Sequence, residues 1–102
     1  MSIKVLKIGR LDNVAIACQS LKQGEEVIIQ PIEEFIGFNK DLKILENIPT
    51  AHKVSLTRIL IGEYIIKYDN IIGKSTKLIE KGTLVHIHNI ESIRGKVLKG
   101  VK

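Results

Sequence analysis

A chain of 102 residues has the size of one small domain, and 44% hydrophobic with 26% charged residues is a globular composition that argues against disorder. No apolar run approaches the roughly 20 residues needed to cross a bilayer, and the start Met1-Ser2-Ile3-Lys4-Val5 alternates without a secretory h-region. The single cysteine, Cys18, excludes an internal disulfide and a multi-cysteine metal site, so a cytoplasmic location with no membrane partner is the expectation.

The formal charge of +5 is unevenly spread. Residues 1–93 hold 12 basic and 11 acidic groups, while Arg94 to Lys102 carry four positive charges and no acid. A nearly neutral body with four aromatics lacks the basic face and stacking platform of a nucleic-acid binder, so no nucleic-acid partner is expected. The expected organisation is one domain over 1–93 and a basic tail or linker stub over 94–102.

Nineteen Ile, seven Val and ten Leu lean the core towards strands. Residues 3–8 alternate as a first strand, Asp12-Asn13 marks a bend, and residues 14–18 read as a short buried strand with Cys18 as a small buried hydrophobe. Leu21 to Glu26 reverses the chain into a strand at 27–29, which Pro31 closes. Residues 32–47 are irregular, with room for at most one short strand or turn. Ile48-Pro49 returns to extended backbone. Residues 53–56 and 64–68 alternate as strands, Asp69-Asn70 is a turn, and residues 84–88 form the final strand. No long amphipathic helix is visible, and Lys74 to Glu80 has room for one helical turn.

The pattern [Leu/Ile]-x-x-Gly-x-x-[Val/Ile] occurs three times, at Leu21-Gly24-Val27, Ile59-Gly62-Ile65 and Ile79-Gly82-Val85. In each copy an apolar residue anchors a turn, glycine takes a conformation closed to other residues, and an apolar residue opens the next strand. Three copies with one internal spacing predict a compact, curved all-β unit.

Several motifs compete for chemistry. Gly73-Lys74-Ser75-Thr76 imitates the end of a phosphate-binding loop, but Tyr68 stands where that motif needs its first glycine, and Gly82 leaves little room for the helix that would follow. The paired acids Glu25-Glu26 and Glu33-Glu34 diverge as neighbours and suit solvated turns. No serine has a nucleophile-elbow context. On a strand, His86 and His88 share one face while Val85 and Ile87 point to the other; that is either a ligand pair or two surface histidines. Asn89 follows them, and His52 is the third histidine.

Three segments carry a resemblance: Asp12-Asn13-Val14-Ala15-Ile16-Ala17 with Leu21-Lys22-Gln23-Gly24-Glu25; Ile48-Pro49-Thr50-Ala51-His52-Lys53-Val54-Ser55-Leu56 with Ile61-Gly62-Glu63; and Ile66-Lys67-Tyr68 through Ile72-Gly73 to Gly82-Thr83-Leu84-Val85-His86-Ile87-His88-Asn89-Ile90-Glu91-Ser92. Over roughly residues 10–95 the chain resembles the SAF domain of the altronate and galactarate dehydratase family, and the small subunit of sulfolactate sulfo-lyase is similar. The resemblance implies an all-β, small β-clip fold with long loops. It also implies dehydration of a sugar acid: a base removes the proton beside a carboxylate, hydroxide leaves the neighbouring carbon, and a divalent metal, iron or manganese, assists. In full-length relatives a much longer catalytic domain follows, so the implied protein is a small subunit that works with a large dehydratase subunit and shares its metal. It is not expected to be active alone, and self-association stays open. On this resemblance His52 and Lys53 are the expected catalytic residues, Lys53 and Asn89 the substrate contacts, and His86 and His88 the metal ligands. At Thr50-Ala51 the chain departs from relatives that have a small residue and glycine before the histidine. The alternatives are a non-catalytic module that binds sugar acids or a protein, and a small subunit of a sulfolactate sulfo-lyase.

Overall fold

The structure, a computed structural model, describes residues 3–33, 37 and 39–97, the last four by their backbone only. Nine strands and no helix make up these residues: β1 (Val5–Lys7), β2 (Val14–Ala17), β3 (Glu26–Pro31), β4 (Asp41–Lys43), β5 (Lys53–Ser55), β6 (Tyr64–Lys67), β7 (Asn70–Ser75), β8 (Leu84–Val85) and β9 (Ile90–Val97). They form a six-stranded sheet in the order β4-β3-β1-β2-β5-β8 and a three-stranded sheet in the order β6-β7-β9. All pairings are antiparallel except β1 with β3. No helix among the described residues is long and apolar enough to cross a membrane.

The alternation in the sequence explains which side chains are buried. Along β3, Val27 and Ile29 are buried while Glu26 and Ile28 face out. One cluster gathers Val5, Ala15, Ala17, Leu21, Ile29, Leu42, Ile44 and Val54 inside the larger sheet and its turns. A second cluster joins the two sheets. Val14 and Val85 from the larger sheet meet Ile65 from the smaller one, with Ile59 and Ile79 between and Ile72 and Ile90 packed against them. Each such aliphatic side chain contributes about 1.5–3 kcal/mol through burial.

The threefold turn repeat is the frame of both clusters. Its anchors Leu21, Ile59 and Ile79 are at most 1% exposed; Leu21 bridges to Ile48, and Ile59 bridges to Ile79. Its glycines all have φ between 88° and 94°. In two copies a glutamate side chain closes the turn: Glu25 accepts from the Lys22 amide at 2.7 Å, and Glu63 from the Leu60 amide at 2.9 Å. In the third, Thr83 takes this position and donates its hydroxyl to the Glu80 carbonyl. Gly82 has a second reason to be glycine, since a Cβ there would stand 2.0 Å from the Lys43 carbonyl oxygen.

Two polar clamps hold the small sheet against the large one. The buried Asp12 carboxylate accepts from the amides of Gly9, Tyr68 and Asp69 at 2.8, 3.0 and 2.8 Å. Tyr68 and Asp69, with φ of 56° and 60°, form the two-residue turn between β6 and β7, a geometry that ordinarily selects glycine or asparagine. The next residue, Asn13, substitutes for a neighbouring strand at β6: its side chain donates to the Tyr64 carbonyl and accepts from the Ile66 amide. The Asp12-Asn13 bend is therefore a structural fastener.

The described residues of 32–47 hold one short strand, β4, within the room the sequence left for it, and bury Leu42 and Ile44. Several other expectations are corrected. Asn70 opens β7, which carries Gly73, Lys74 and Ser75. The phosphate-loop look-alike is thus a strand, with Gly73 allowing the Glu91 carbonyl to within 2.8 Å of where a Cβ would lie. No helical turn forms over 74–80. Cys18 is exposed, because it continues the outward alternation of Ile16 past the end of β2. The strand expected over 84–88 ends at Val85, and residues 86–89 form a turn instead. The cause is Asn89. Buried at the end of the turn, its side chain accepts from the His86 amide at 2.9 Å and donates to the Leu84 carbonyl at 2.8 Å, drawing the backbone out of the ladder. Beyond it, β9 carries the backbone of 94–97, where the basic tail was expected to begin, and pairs Val97 with Asn70.

Candidate functional site

The pairing of β5 with β8 sets the positions of the histidines. Lys53 lies opposite Val85 and Val54 opposite Leu84, so one step further along this antiparallel register His52 meets His86. Their ring centres are 5.0 Å apart with the planes tilted by 55°. Residues 34 positions apart in the chain are thus brought together at one rim of the six-stranded sheet.

The His52 ring and the His86 backbone are each held from behind. His52 ends a tight turn in which its amide donates to the Pro49 carbonyl at 3.2 Å. Ala51 occupies the third position of that turn with φ of 69°, the position where glycine is preferred in a type II turn. The turn is sewn to the end of β2 by two bonds, from the Ala51 amide to the Ala17 carbonyl and from the Ala17 amide to the His52 carbonyl. The His52 Nδ1 lies 3.0 Å from the Thr50 carbonyl oxygen. A carbonyl only accepts, so Nδ1 carries a hydrogen, and in the neutral ring the lone pair is on Nε2. His86 is half-buried and its backbone is fixed by Asn89.

The other expected residues are placed differently. Both ends of the Asn89 side chain are engaged in the turn it closes. His88 is exposed, and beside it Ile87, expected to share a face with Val85, is 81% exposed at the turn's tip while Val85 is buried. The two-residue period that was to align His86 with His88 is therefore absent. Alternation along β5 directs Lys53 away from the histidine pair. Its ammonium pKa is pushed down, first by desolvation and then by repulsion from Lys67. Lys67 itself sits 4.9 Å over the Tyr68 ring. A further lysine, Lys7, is buried with its pKa pushed down by desolvation, against the opposing pull of Asp12 and Asp69; its ammonium donates to the Gly9 and Arg10 carbonyls and is structural.

Among the described residues, no three His, Cys, Asp or Glu side chains are grouped to hold a metal ion. The histidine pair offers two imidazole donors, so a metal here requires further ligands from water or from another chain. A groove of about 450 Å³ runs along β3 and β4, lined by Ile28, Asp41 and Lys43 among others, and none of the expected site residues lines it.

Sequence reasoning missed the Thr50 carbonyl as the anchor of His52, the clamp formed by Asn89, and Lys67 as the neighbour of Lys53. The Pro-Thr-Ala-His run was a usable signal for the first, since a proline-initiated turn returns its carbonyls towards the residue that ends it.

Two curled antiparallel-rich sheets, joined by repeated glycine turns and carrying their polar rim on turns, define a small β-clip domain. The family model for the altronate/galactarate dehydratase SAF domain matches residues 3–93, and the chain belongs to that family. It is 34% identical over 87 residues to an altronate dehydratase of Escherichia coli, covering 85% of this chain and 16% of that enzyme. An altronate dehydratase of Bacillus subtilis is 26% identical over the same length, again with 16% of the enzyme covered. The chain thus spans about a sixth of those relatives. Over 58 residues it is 38% identical to the (2R)-sulfolactate sulfo-lyase subunit alpha of Paracoccus pantotrophus, covering 55% of this chain and 87% of that subunit.

Proposed function

We propose that this SAF domain is the small partner in a sugar-acid dehydratase of the altronate or galactarate type, acting with a separate large catalytic subunit in the cytoplasm. The observation that carries the proposal is the likeness to altronate dehydratase over 85% of this chain, within which lie His52 and the turn bearing His86. The rim histidines are what the domain offers to a shared site. His52 Nε2, with its hydrogen on Nδ1, is equipped to take up a proton or to bind a metal. His86 stands beside it, and exposed His88 joins where a partner surface closes over the turn. Asn89 holds His86 in place. Lys53, on the other face of β5 from the histidines, is half-withdrawn from water and next to Lys67, so it gains from a bound anion on that face, such as a carboxylate of the large subunit, rather than from the reacting end of the substrate. Lewis acidity towards the leaving hydroxyl comes from iron or manganese held jointly with the large subunit.

Co-expression of this chain with a dehydratase large subunit, followed by an assay of 2-keto-3-deoxy acid formation from altronate and galactarate, tests the reading. Turnover is expected from the complex and not from either chain alone. Undiminished turnover by a complex carrying His52→Ala and His86→Ala would remove the site. The sulfo-lyase alternative is favoured by the 87% coverage of the sulfolactate sulfo-lyase alpha subunit. Release of sulfite from sulfolactate by the same complex, in place of dehydration, would select it.

A further inference from the structure

We infer that His52 and His86, rather than His86 and His88, are a bidentate imidazole site for a borderline divalent metal ion such as Zn²⁺, Co²⁺ or Ni²⁺. Three observations converge. The rings approach at 5.0 Å between centres. Two imidazoles ligating one tetrahedral ion, at a Zn–N distance of about 2.0–2.1 Å, hold their ring centres about 5 Å apart, so the spacing of the pair is that of a chelate. The Nδ1–H of His52 is bound to the Thr50 carbonyl, the arrangement by which metal-ligating histidines fix their tautomer and present Nε2. Finally, both backbones are pinned: His52 through Ala17, and His86 through the buried Asn89. With both backbones fixed and the His52 ring already bound, the His86 ring is the part left to order on binding. His88 has none of these features, standing exposed beyond Ile87 on a turn that breaks the strand period.

The inference deepens the proposed function at one point, the metal at the histidine rim, and does not require dehydration to be the reaction. Two protein nitrogens leave the remaining coordination positions to water, or to oxygen donors of a substrate or of a second chain; a domain carrying half a metal site is completed at an interface. Among the described residues, Cys18 does not join the pair as a third ligand.

The test uses the untagged full chain and Zn²⁺ alone, followed by ¹⁵N-detected NMR of the imidazole nitrogens and by calorimetry. Saturable binding is expected, with the His52 Nε2 and one His86 nitrogen shifting together and His88 unmoved. His52→Gln and His86→Gln should each weaken binding at least tenfold, and His88→Gln should leave it within twofold. The wild-type nitrogen shifts give the answer even where a variant fails to fold. Absence of saturable binding at millimolar Zn²⁺ overturns the inference, as does binding that is lost with His88→Gln and kept with His52→Gln. Failure of the dehydratase reading is read separately: a chain that binds Zn²⁺ through His52 and His86 but supports no turnover with a large subunit keeps this site and loses that function.

Discussion

Replacing Asp12 with alanine removes the acceptor for three backbone amides at once. Gly9, Tyr68 and Asp69 donate to it at 2.8–3.0 Å, from a carboxylate only 7% exposed. A buried amide left without its acceptor costs about 1–3 kcal/mol, and water can reach part of this site, so the sum is set at about 3–5 kcal/mol. The loss is compounded at Tyr68 and Asp69, whose left-handed conformations cost roughly 1–2 kcal/mol each for residues with a Cβ and are held in place by these same bonds. For a domain with a total stability of about 5–15 kcal/mol, Asp12→Ala is expected to lower the melting temperature by at least about 12 °C. Asp12→Asn separates hydrogen bonding from mere bulk. Its single oxygen can replace Oδ2, which receives the Gly9 and Tyr68 amides, but its NH₂ then faces the Asp69 amide, so an intermediate loss is expected. Thermal and urea denaturation followed by circular dichroism give the magnitudes, and amide exchange at Gly9, Tyr68 and Asp69 locates them. A loss below about 1 kcal/mol for Asp12→Ala, or equal losses for both variants, would refute the clamp.

Ala51→Gly is expected to raise stability by about 0.5–1 kcal/mol, read from the urea midpoint, because relief of the left-handed strain at φ 69° exceeds the added entropy of the unfolded glycine; a lower midpoint contradicts this. Gly82→Ala should cost about 2–4 kcal/mol, since its Cβ would strike the Lys43 carbonyl, whereas Gly24→Ala, with no atom within 4 Å of its Cβ, should cost only about 1 kcal/mol for the unfavourable φ. Equal costs at the two sites would remove the packing argument. The Glu25 carboxyl is held below the ordinary glutamate range, first by the Lys22 amide and then by Lys4, whose ammonium is 3.0 Å away. Its folded pKa lies below its unfolded one, so its contribution is present above the unfolded value and is lost as pH falls through the folded value. Glu25→Gln should therefore lower the neutral-to-alkaline plateau without changing its slope and flatten the acid limb, so that the two proteins converge at low pH, as measured by denaturation across pH.

What the sequence determined by itself was the alternation of its aliphatic residues and the glycine turns between them. Leu21, Ile59 and Ile79 with Gly24, Gly62 and Gly82 were legible because a turn that needs positive φ writes itself locally, at fixed spacing, in residue type. The family was legible for the same reason: the Ile-Pro-Thr-Ala-His-Lys and Val-His-Ile-His-Asn segments are contiguous strings. The strand β7 was hidden because Asn70 and Gly73 are local turn signals, overridden here by pairing with β6 on one side and β9 on the other. Likewise His86 and His88 looked like partners because a two-residue period assumes the strand continues. Whether it does depends on Asn89 capturing the Leu84 and His86 backbone. The meeting of His52 with His86 was decided only in three dimensions, by the register of β5 against β8. Cross-strand register is set by the hydrophobic faces and turns of the whole sheet, and no spacing within one segment encodes it.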